Sequence, residues 1–537
     1  SIGVDFGTES GRVLVLDARS GEELGVSVVP YPSAVIDREL PTTGERLPPD
    51  WALQDPGDWV KVLEDGVPAA VADAGIEPAE IVGLGIDFTS CTVLPVTGDS
   101  TPLCQLDQFR ERRHAWPKLW KHHAAQPVAD RLNEVALERG EPFLERYGGR
   151  ISSEWYFPKL IEVWSEDREV YDACAAFIEA TDWIIWHLTG TEVRQSATAG
   201  YKAMWSPADG LPPTAYFEAA YPGFAQPAEK LGTEFVPLGT RAGTLTPERA
   251  ERLGLTEDVA VAVGNVDAWV SVPGAGVTSP EIFVTVIGTS TCSMIVSPDE
   301  VRLPGITGVV RDGILPGLYG YEAGQAAVGD MLAWFVRTLG GDRDTYGRLE
   351  GEAARLGPGE TGLLALDWFN GNRSILADAD LSGAIFGLTL HSSPAEIYRA
   401  LLESIAFGNR RIVDNFTEHG LTLSEIVACG GIAERSPLTM QLLADTSGLT
   451  VHVPSWREIP ARGAALFGAV AAGVYDGIDA AIEATRPSSS RTYTPEPAAK
   501  EVYDRVYAVY RTLYDTLGSS DAQLLHDLKK IRAQAAG

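Results

Sequence analysis

Two stretches far apart in the chain, Asp5-Phe6-Gly7-Thr8-Glu9-Ser10-Gly11-Arg12-Val13-Leu14-Val15 and Val286-Ile287-Gly288-Thr289-Ser290-Thr291-Cys292-Ser293-Met294-Ile295-Val296, share one plan. Each reads as an apolar strand, a Gly-Thr turn rich in hydroxyls, and a second strand. Glycine lets the backbone turn tightly and approach a bound group, and consecutive N–H donors with small hydroxyls suit phosphate oxygens. One such hairpin is only a turn. Two of them suggest a clamp on a single polyphosphate.

A chain of 537 residues has room for more than one core, and two domains split near residue 260 are expected, 1–262 and 263–537. Apolar residues make up 45% of it, which sets disorder aside. The formal charge of -31 argues against nucleic acid or an anionic membrane as partner, since both demand a basic face. Five scattered cysteines, Cys91, Cys104, Cys174, Cys292 and Cys429, form neither a disulfide framework nor a CxxC zinc pair. The first strand begins at Ile2-Gly3-Val4 with no leader before it, and no apolar run approaches the roughly 18 residues of a membrane span, so a cytoplasmic location is expected.

Strands and helices alternate along the chain in an α/β manner. Ile81–Asp87 is an apolar strand following a helix that starts near Pro56, and residues 155–189 read as helical, with a second helix over Trp183 to Leu188. Thr246-Pro247-Glu248 opens a helix that Gly254 ends, and Val259–Gly264 is a buried strand leading into Asn265-Val266-Asp267. In the second half a long amphipathic helix spans Ser393 to Thr417, and the strand Ile426–Cys429 runs into Gly430-Gly431. Pro487 to Pro497 reads as a surface connector, and a terminal helix with Val502, Val506, Val509 and Leu513 at helical spacing is expected to pack back.

Asp5-Phe6-Gly7-Thr8, Gly264 to Asp267, Ile287 to Cys292, Asp367-Trp368-Phe369-Asn370-Gly371-Asn372-Arg373 and Gly430-Gly431-Ile432-Ala433 occur in an order and spacing that resemble the FGGY carbohydrate kinases of the actin, Hsp70 and sugar kinase superfamily. The resemblance covers nearly the whole chain. Trp120-Lys121-His122-His123, Ser152 to Trp155, Ala199-Gly200-Tyr201-Lys202 and Tyr321 to Gln325 make it look most like the L-ribulokinase branch. It implies an α/β chain of two actin-like (ribonuclease H-like) domains flanking a catalytic cleft. The implied reaction is ATP-dependent phosphorylation of the 5-hydroxyl of L-ribulose, which would point toward arabinose breakdown; a homodimer is an open assembly.

Phosphoryl transfer needs positioning, charge neutralisation and a group to take the hydroxyl proton. The resemblance makes Asp267 the general base, although an Asp before Ala268-Trp269-Val270 is equally a helix cap. It assigns Asp5 to Mg²⁺ through water, in keeping with that cation's preference for oxygen. Gly7 and Thr8 from one domain, and Gly288 and Thr289 from the other, would bind the ATP phosphates, with Gly430 and Gly431 at the base. Ser90, Trp120, Lys202, Asp267 and Glu322 would line the sugar pocket. Arg12 reads either as added positive charge or as a surface ion pair.

Other readings fail on the residues. Asp5-Phe6-Gly7 spells the protein-kinase magnesium triplet, but no His-Arg-Asp loop accompanies it. A Walker A motif is impossible because the chain has no Gly-Lys dipeptide, and a Rossmann glycine fingerprint is missing. His122 and His123 have no third ligand at metal spacing. Three classes are left: a pentulose kinase, another FGGY kinase acting on D-ribulose, xylulose or a polyol, and a nucleotide-driven conformational protein of the Hsp70 or actin type.

Overall fold

The computed structural model describes residues 1–486, 490–519 and 523–536. Two seven-stranded sheets organise it, and they repeat one plan. In the first, Ile2–Phe6 pairs antiparallel with Ser10–Leu16, which pairs with Glu23–Pro30, while the other edge of Ile2–Phe6 pairs parallel with Gly83–Phe88. Gly83–Phe88 then runs parallel to Ala260–Ala262 and to the two-residue strand Asn265–Val266. In the second sheet Ile282–Ile287 pairs antiparallel with Thr291–Ser297 and parallel with Glu425–Cys429. The repetition seen in the hairpins therefore extends to the strand beside each one.

The halves meet along two crossing helices, Asp267–Gly274 and Ile459–Ala471. The second of these comes from late in the chain yet lies on the first sheet. Its approach is so close that a Cβ on Gly3 would stand 1.7 Å from the carbonyl oxygen of Ala461, and one on Gly85 1.8 Å from that of Ala464. The two helices also touch through glycine, since a Cβ on Gly463 would lie 2.1 Å from the Val270 carbonyl oxygen. A shared core of Leu14, Trp269, Val284, Met294 and Ala464 fills the seam.

Several local expectations are revised. Residues 155–189 are not continuously helical: Tyr156–Glu166 and Arg168–Ala173 are separated from the helix Ala180–Thr189 by the strand Ala176–Glu179, which pairs with Val93–Val96. Within the expected connector, Ser490–Tyr493 is a strand that closes the second sheet against Thr450–Pro454, and residues 487–489 lie outside the described residues. The terminal helix, Pro497–Leu517, does pack back, with Val506 and Leu513 half-buried against the core at the margin of a face centred on tyrosines. Tyr503, Tyr507, Tyr510 and Tyr514 are buried while Val509 is 56% exposed. The long helix Pro394–Glu418 starts at Ser393 with a reciprocal capping box to Glu396.

Candidate active site

Parallel pairing in register places like positions side by side at the strand ends. Asp5 is the register partner of Asp87, and Asp87 is the register partner of Asn265. Three polar residues thus stand in a row where these strands end, the usual position for a ligand in an open α/β sheet. Asp87 is fully buried, and its carboxyl group meets no donor other than the Asp5 carboxyl beside it; the Asn265 Nδ2 is without a partner. Burial, then the charges of Asp5 and Asp267, push Asp87 well above the usual carboxylate range. Burial also raises Asp5, against the pull of the Arg12 guanidinium 3.6 Å away. Arg12 reaches Glu458 of the second half at 3.4 Å, so it is an ion-pair partner across the seam.

One residue past Val266, Asp267 opens the helix Asp267–Gly274. Val266 occupies the cap position, and the Asp267 Oδ1 accepts the N–H of Ala268 at 2.7 Å. The carboxyl group keeps a partial opening to the cleft, but enclosure by protein, followed by repulsion from Asp5, pushes it up to about 7. Glu322 and Lys202 belong to the same electrostatic group, Glu322 raising and Lys202 lowering its value. Glu322 comes from the second sheet and is gripped there: Lys202 Nζ lies 3.2 Å from its Oε2, and Trp269 Nε1 donates to the same oxygen at 2.8 Å.

The first hairpin is closed by Gly7 N–H to Ser10 O at 3.0 Å. Thr8 is docked on both sides, its hydroxyl accepting from Trp120 Nε1 at 3.1 Å and its carbonyl from Gln54 Nε2 at 2.9 Å. Trp120 is therefore tied to the phosphate hairpin. Ser90 has a buried hydroxyl with no partner, and the loop beyond it is held by Lys159, whose ammonium donates to the carbonyls of Cys91 at 2.7 Å and Leu119 at 3.0 Å. In the second hairpin Gly288 and Thr289 are exposed, and their carbonyls accept from Gly329 and Val328. Gly430 has φ +92, and a Cβ there would lie 2.7 Å from the Ile287 carbonyl oxygen, so only glycine fits against this hairpin. Gly430-Gly431 and Gly288-Thr289 are consequently neighbours.

Asp5, Asp267, Lys202 and Glu322 are brought into one electrostatic group, Thr8 and Trp120 into direct contact, and Gly288 and Gly430 onto adjacent strand ends. Asp87, Trp269 and Gln54 were not singled out from the sequence. Asp87 carried a usable signal, because it ends an apolar strand just as Asp5 does; Gln54 carried none. Two buried carboxyl groups side by side, Asp5 and Asp87, are the hard oxygen donors that suit Mg²⁺, which needs only one or two carboxylates beside phosphate and water. Among the described residues no group of three His, Cys, Asp or Glu side chains gathers at metal-binding geometry, and no helix is long and apolar enough to cross a membrane.

Two duplicated sheet domains of actin-like plan, meeting beside a group of carboxyl side chains, place the chain in the actin-like class to which the sugar kinases belong. Residues 1–274 match the FGGY family of carbohydrate kinases, N-terminal domain, and residues 283–472 its C-terminal domain. The chain belongs to the FGGY family of carbohydrate kinases. It is 48% identical to the ribulokinase of Anoxybacillus flavithermus, with 98% of this chain and 96% of the relative covered, and 45% identical to that of Mycolicibacterium smegmatis, with 99% and 96% covered. Among solved structures, xylulose kinase from Rhodospirillum rubrum matches with a TM-score of 0.78 at 25% identity, covering 96% of this chain and 98% of that one. Glycerol kinase from Plasmodium falciparum shares the fold, with a TM-score of 0.78 at 16% identity over 96% of this chain and 98% of that one.

Proposed function

We propose that the protein is a ribulokinase that transfers a phosphoryl group from ATP to the terminal 5-hydroxyl of L-ribulose, with Asp267 as general base. One observation carries this reading: a carboxyl group whose pKa is pushed to about 7 stands among Asp5, Lys202 and Glu322. Such a group is matched to removing a proton near neutral pH. Its support in sequence is the set of relatives named ribulokinase at 45–48% identity over nearly the whole chain.

In this reading Lys202, Glu322, Trp120 and Ser90 hold the sugar, and the Lys202–Glu322–Trp269 grip fixes the donors and acceptors that its hydroxyls meet. Gly7 and Gly288 use their own N–H groups to close the two turns, so the N–H groups and hydroxyls of Thr8 and Thr289 bind phosphate oxygens from opposite sides, and Gly430-Gly431 lies against the base. Asp5, backed by Asp87, would hold Mg²⁺ through water, and that ion supplies neutralisation of phosphate charge. Asp267 takes the proton of the 5-hydroxyl as that oxygen bonds to the γ-phosphorus and the bond to the ADP oxygen breaks. The proton then passes to solvent when the cleft opens.

The test is ADP release measured over L-ribulose, D-ribulose, xylulose and polyols. L-ribulose is expected to give the highest kcat/KM. Preference for another of these sugars would move the assignment to a different FGGY kinase, and stimulation by a protein or peptide but by no sugar would overturn it.

A further inference from the structure

The family match ends at residue 472, yet the helix Pro497–Leu517 beyond it is joined by hydrogen bonds to the second phosphate hairpin. Tyr510 on this helix donates its hydroxyl to Asp367 Oδ1 at 3.1 Å. The other Asp367 oxygen accepts from Gln325 Nε2 at 2.9 Å, and that same amide nitrogen also reaches the Ile405 carbonyl at 3.1 Å. Gln325 and Thr291 are then joined three times, by Gln325 N–H to Thr291 Oγ1 at 2.8 Å, Thr291 N–H to the Gln325 carbonyl at 3.0 Å and the Thr291 hydroxyl to Gln325 Oε1 at 3.5 Å. Thr291 is the residue with which the chain leaves the Gly288-Thr289-Ser290 turn.

All four residues in this relay are at most 4% exposed. Space for it is built into the neighbouring helix, since a Cβ on Gly408 would lie 2.4 Å from Gln325 Nε2 and 2.8 Å from Asp367 Oδ2. Inside protein such a chain is costly to leave half satisfied, so loss of one member disturbs the next. Of the other buried tyrosines on this helix, Tyr507 donates to Asp414, Tyr503 to Glu403 and Tyr514 to Asn372 Oδ1.

We propose that Tyr510 is a positioning residue for nucleotide binding, acting through Asp367 and Gln325 to fix the second phosphate hairpin. The proposal rests on the reading of that hairpin as a phosphate site and does not depend on which sugar is used. It gives the terminal helix, which lies beyond the residues matched by the family model, a part in nucleotide binding.

Tyr510→Phe and Tyr507→Phe, each purified as the full chain, separate positioning from general stability. ADP affinity by calorimetry, KM for ATP and KM for ribulose are measured well below both melting temperatures. Tyr510→Phe is expected to weaken ADP binding roughly fivefold or more, as loss of one buried hydrogen bond allows, and to leave the ribulose KM within about twofold. Tyr507→Phe should lower the melting temperature without changing ADP affinity. Unchanged ADP affinity in Tyr510→Phe, or an equal loss in Tyr507→Phe, overturns the proposal. If Tyr510→Phe does not fold, Asp367→Asn, which turns one acceptor into a donor facing Tyr510 or Gln325, must show the same loss, and wild-type affinity there also overturns it. A wild-type protein that binds ADP but ignores ribulose would refute the sugar assignment while leaving this test intact.

Discussion

Ionisation of Asp267 should govern the pH dependence of turnover. Its carboxyl group, pushed to about 7 by burial and then by Asp5, is deprotonated in about one molecule in ten at pH 6 and about nine in ten at pH 8. If the carboxylate is the base, kcat/KM for L-ribulose rises about ninefold across that interval with a single-proton slope. Lys202 pulls the value down, so Lys202→Met should move the inflection upward as well as weakening sugar binding. Asp267→Asn should lose roughly 10²–10⁴ in kcat and retain ADP binding. Stability runs the other way. The folded group holds its proton above the pKa of the unfolded chain, so its contribution is complete below about pH 4 and is lost as the pH rises through about 7. The melting temperature of Asp267→Asn relative to wild type should therefore be higher at pH 8 than at pH 5. The assay is steady-state ADP release from pH 5.5 to 8.5 with a parallel thermal melt. A flat kcat/KM profile, or an acid limb that survives in Asp267→Asn, would refute the reasoning.

Three further outcomes follow from buried groups. Asp87 is also held well above its ordinary value, so its contribution to stability is full below about pH 4 and falls as the pH climbs toward the folded value; Asp87→Asn should gain in melting temperature over wild type as the buffer goes from pH 5 to pH 8. The ion pair of Lys118 and Glu162, 2.8 Å apart with both side chains at most 2% exposed, is joined by His122 at 2.9 Å. Urea denaturation of Lys118→Met should show a loss of about 3–5 kcal/mol, and the double replacement with Glu162→Leu should recover part of it; additive losses would contradict the buried-pair account. Gly3→Ala should cost more than about 3 kcal/mol or prevent soluble expression, because the new carbon has backbone rather than a flexible side chain in its way.

What could be read in the sequence was whatever is local. The hairpins, the Asp267 turn, the Ser393 cap and the Gly430 turn depend on neighbours a few residues away, and all have their signal in consecutive letters. The terminal helix shows where this stops. Hydropathy places Val502, Val506, Val509 and Leu513 inside, yet the tyrosines one position later bury more area, and each hydroxyl finds a polar partner: Glu403, Asp414, Asp367 and Asn372. Those partners come from the helix Pro394–Glu418 and from the loop after Leu364–Leu366, far away in the chain, so no helical periodicity could have shown them. The same holds for Thr8, whose docking residues Gln54 and Trp120 arrive from separate loops. Ser490–Tyr493 was hidden for another reason: the prolines and serines around it read as a connector, while the exposed edge of Thr450–Pro454 supplied the pairing.

The duplicated plan also explains why the chemistry is one-sided. Aligned on their Gly-Thr turns, Asp5 of the first hairpin corresponds to Val286 of the second, and the register partners of these two residues are Asp87 and Cys429. Equivalent strand ends thus hold two carboxyl groups in one half and a valine and a cysteine in the other. Both halves can offer backbone N–H groups to a phosphate chain, because the turn geometry is common to them. Only the first gathers carboxyl groups at its strand ends, and it does so where Ala260–Ala262 and Asn265–Val266 deliver Asp267 beside them. Burial lifts Asp267 most, and repulsion from Asp5 adds to it. The second half supplies Glu322, ion-paired with Lys202 and hydrogen-bonded by Trp269, which fixes its carboxylate in place. A clamp made from two like hairpins becomes directional through two side-chain positions, and that direction is what a transfer from nucleotide to sugar requires.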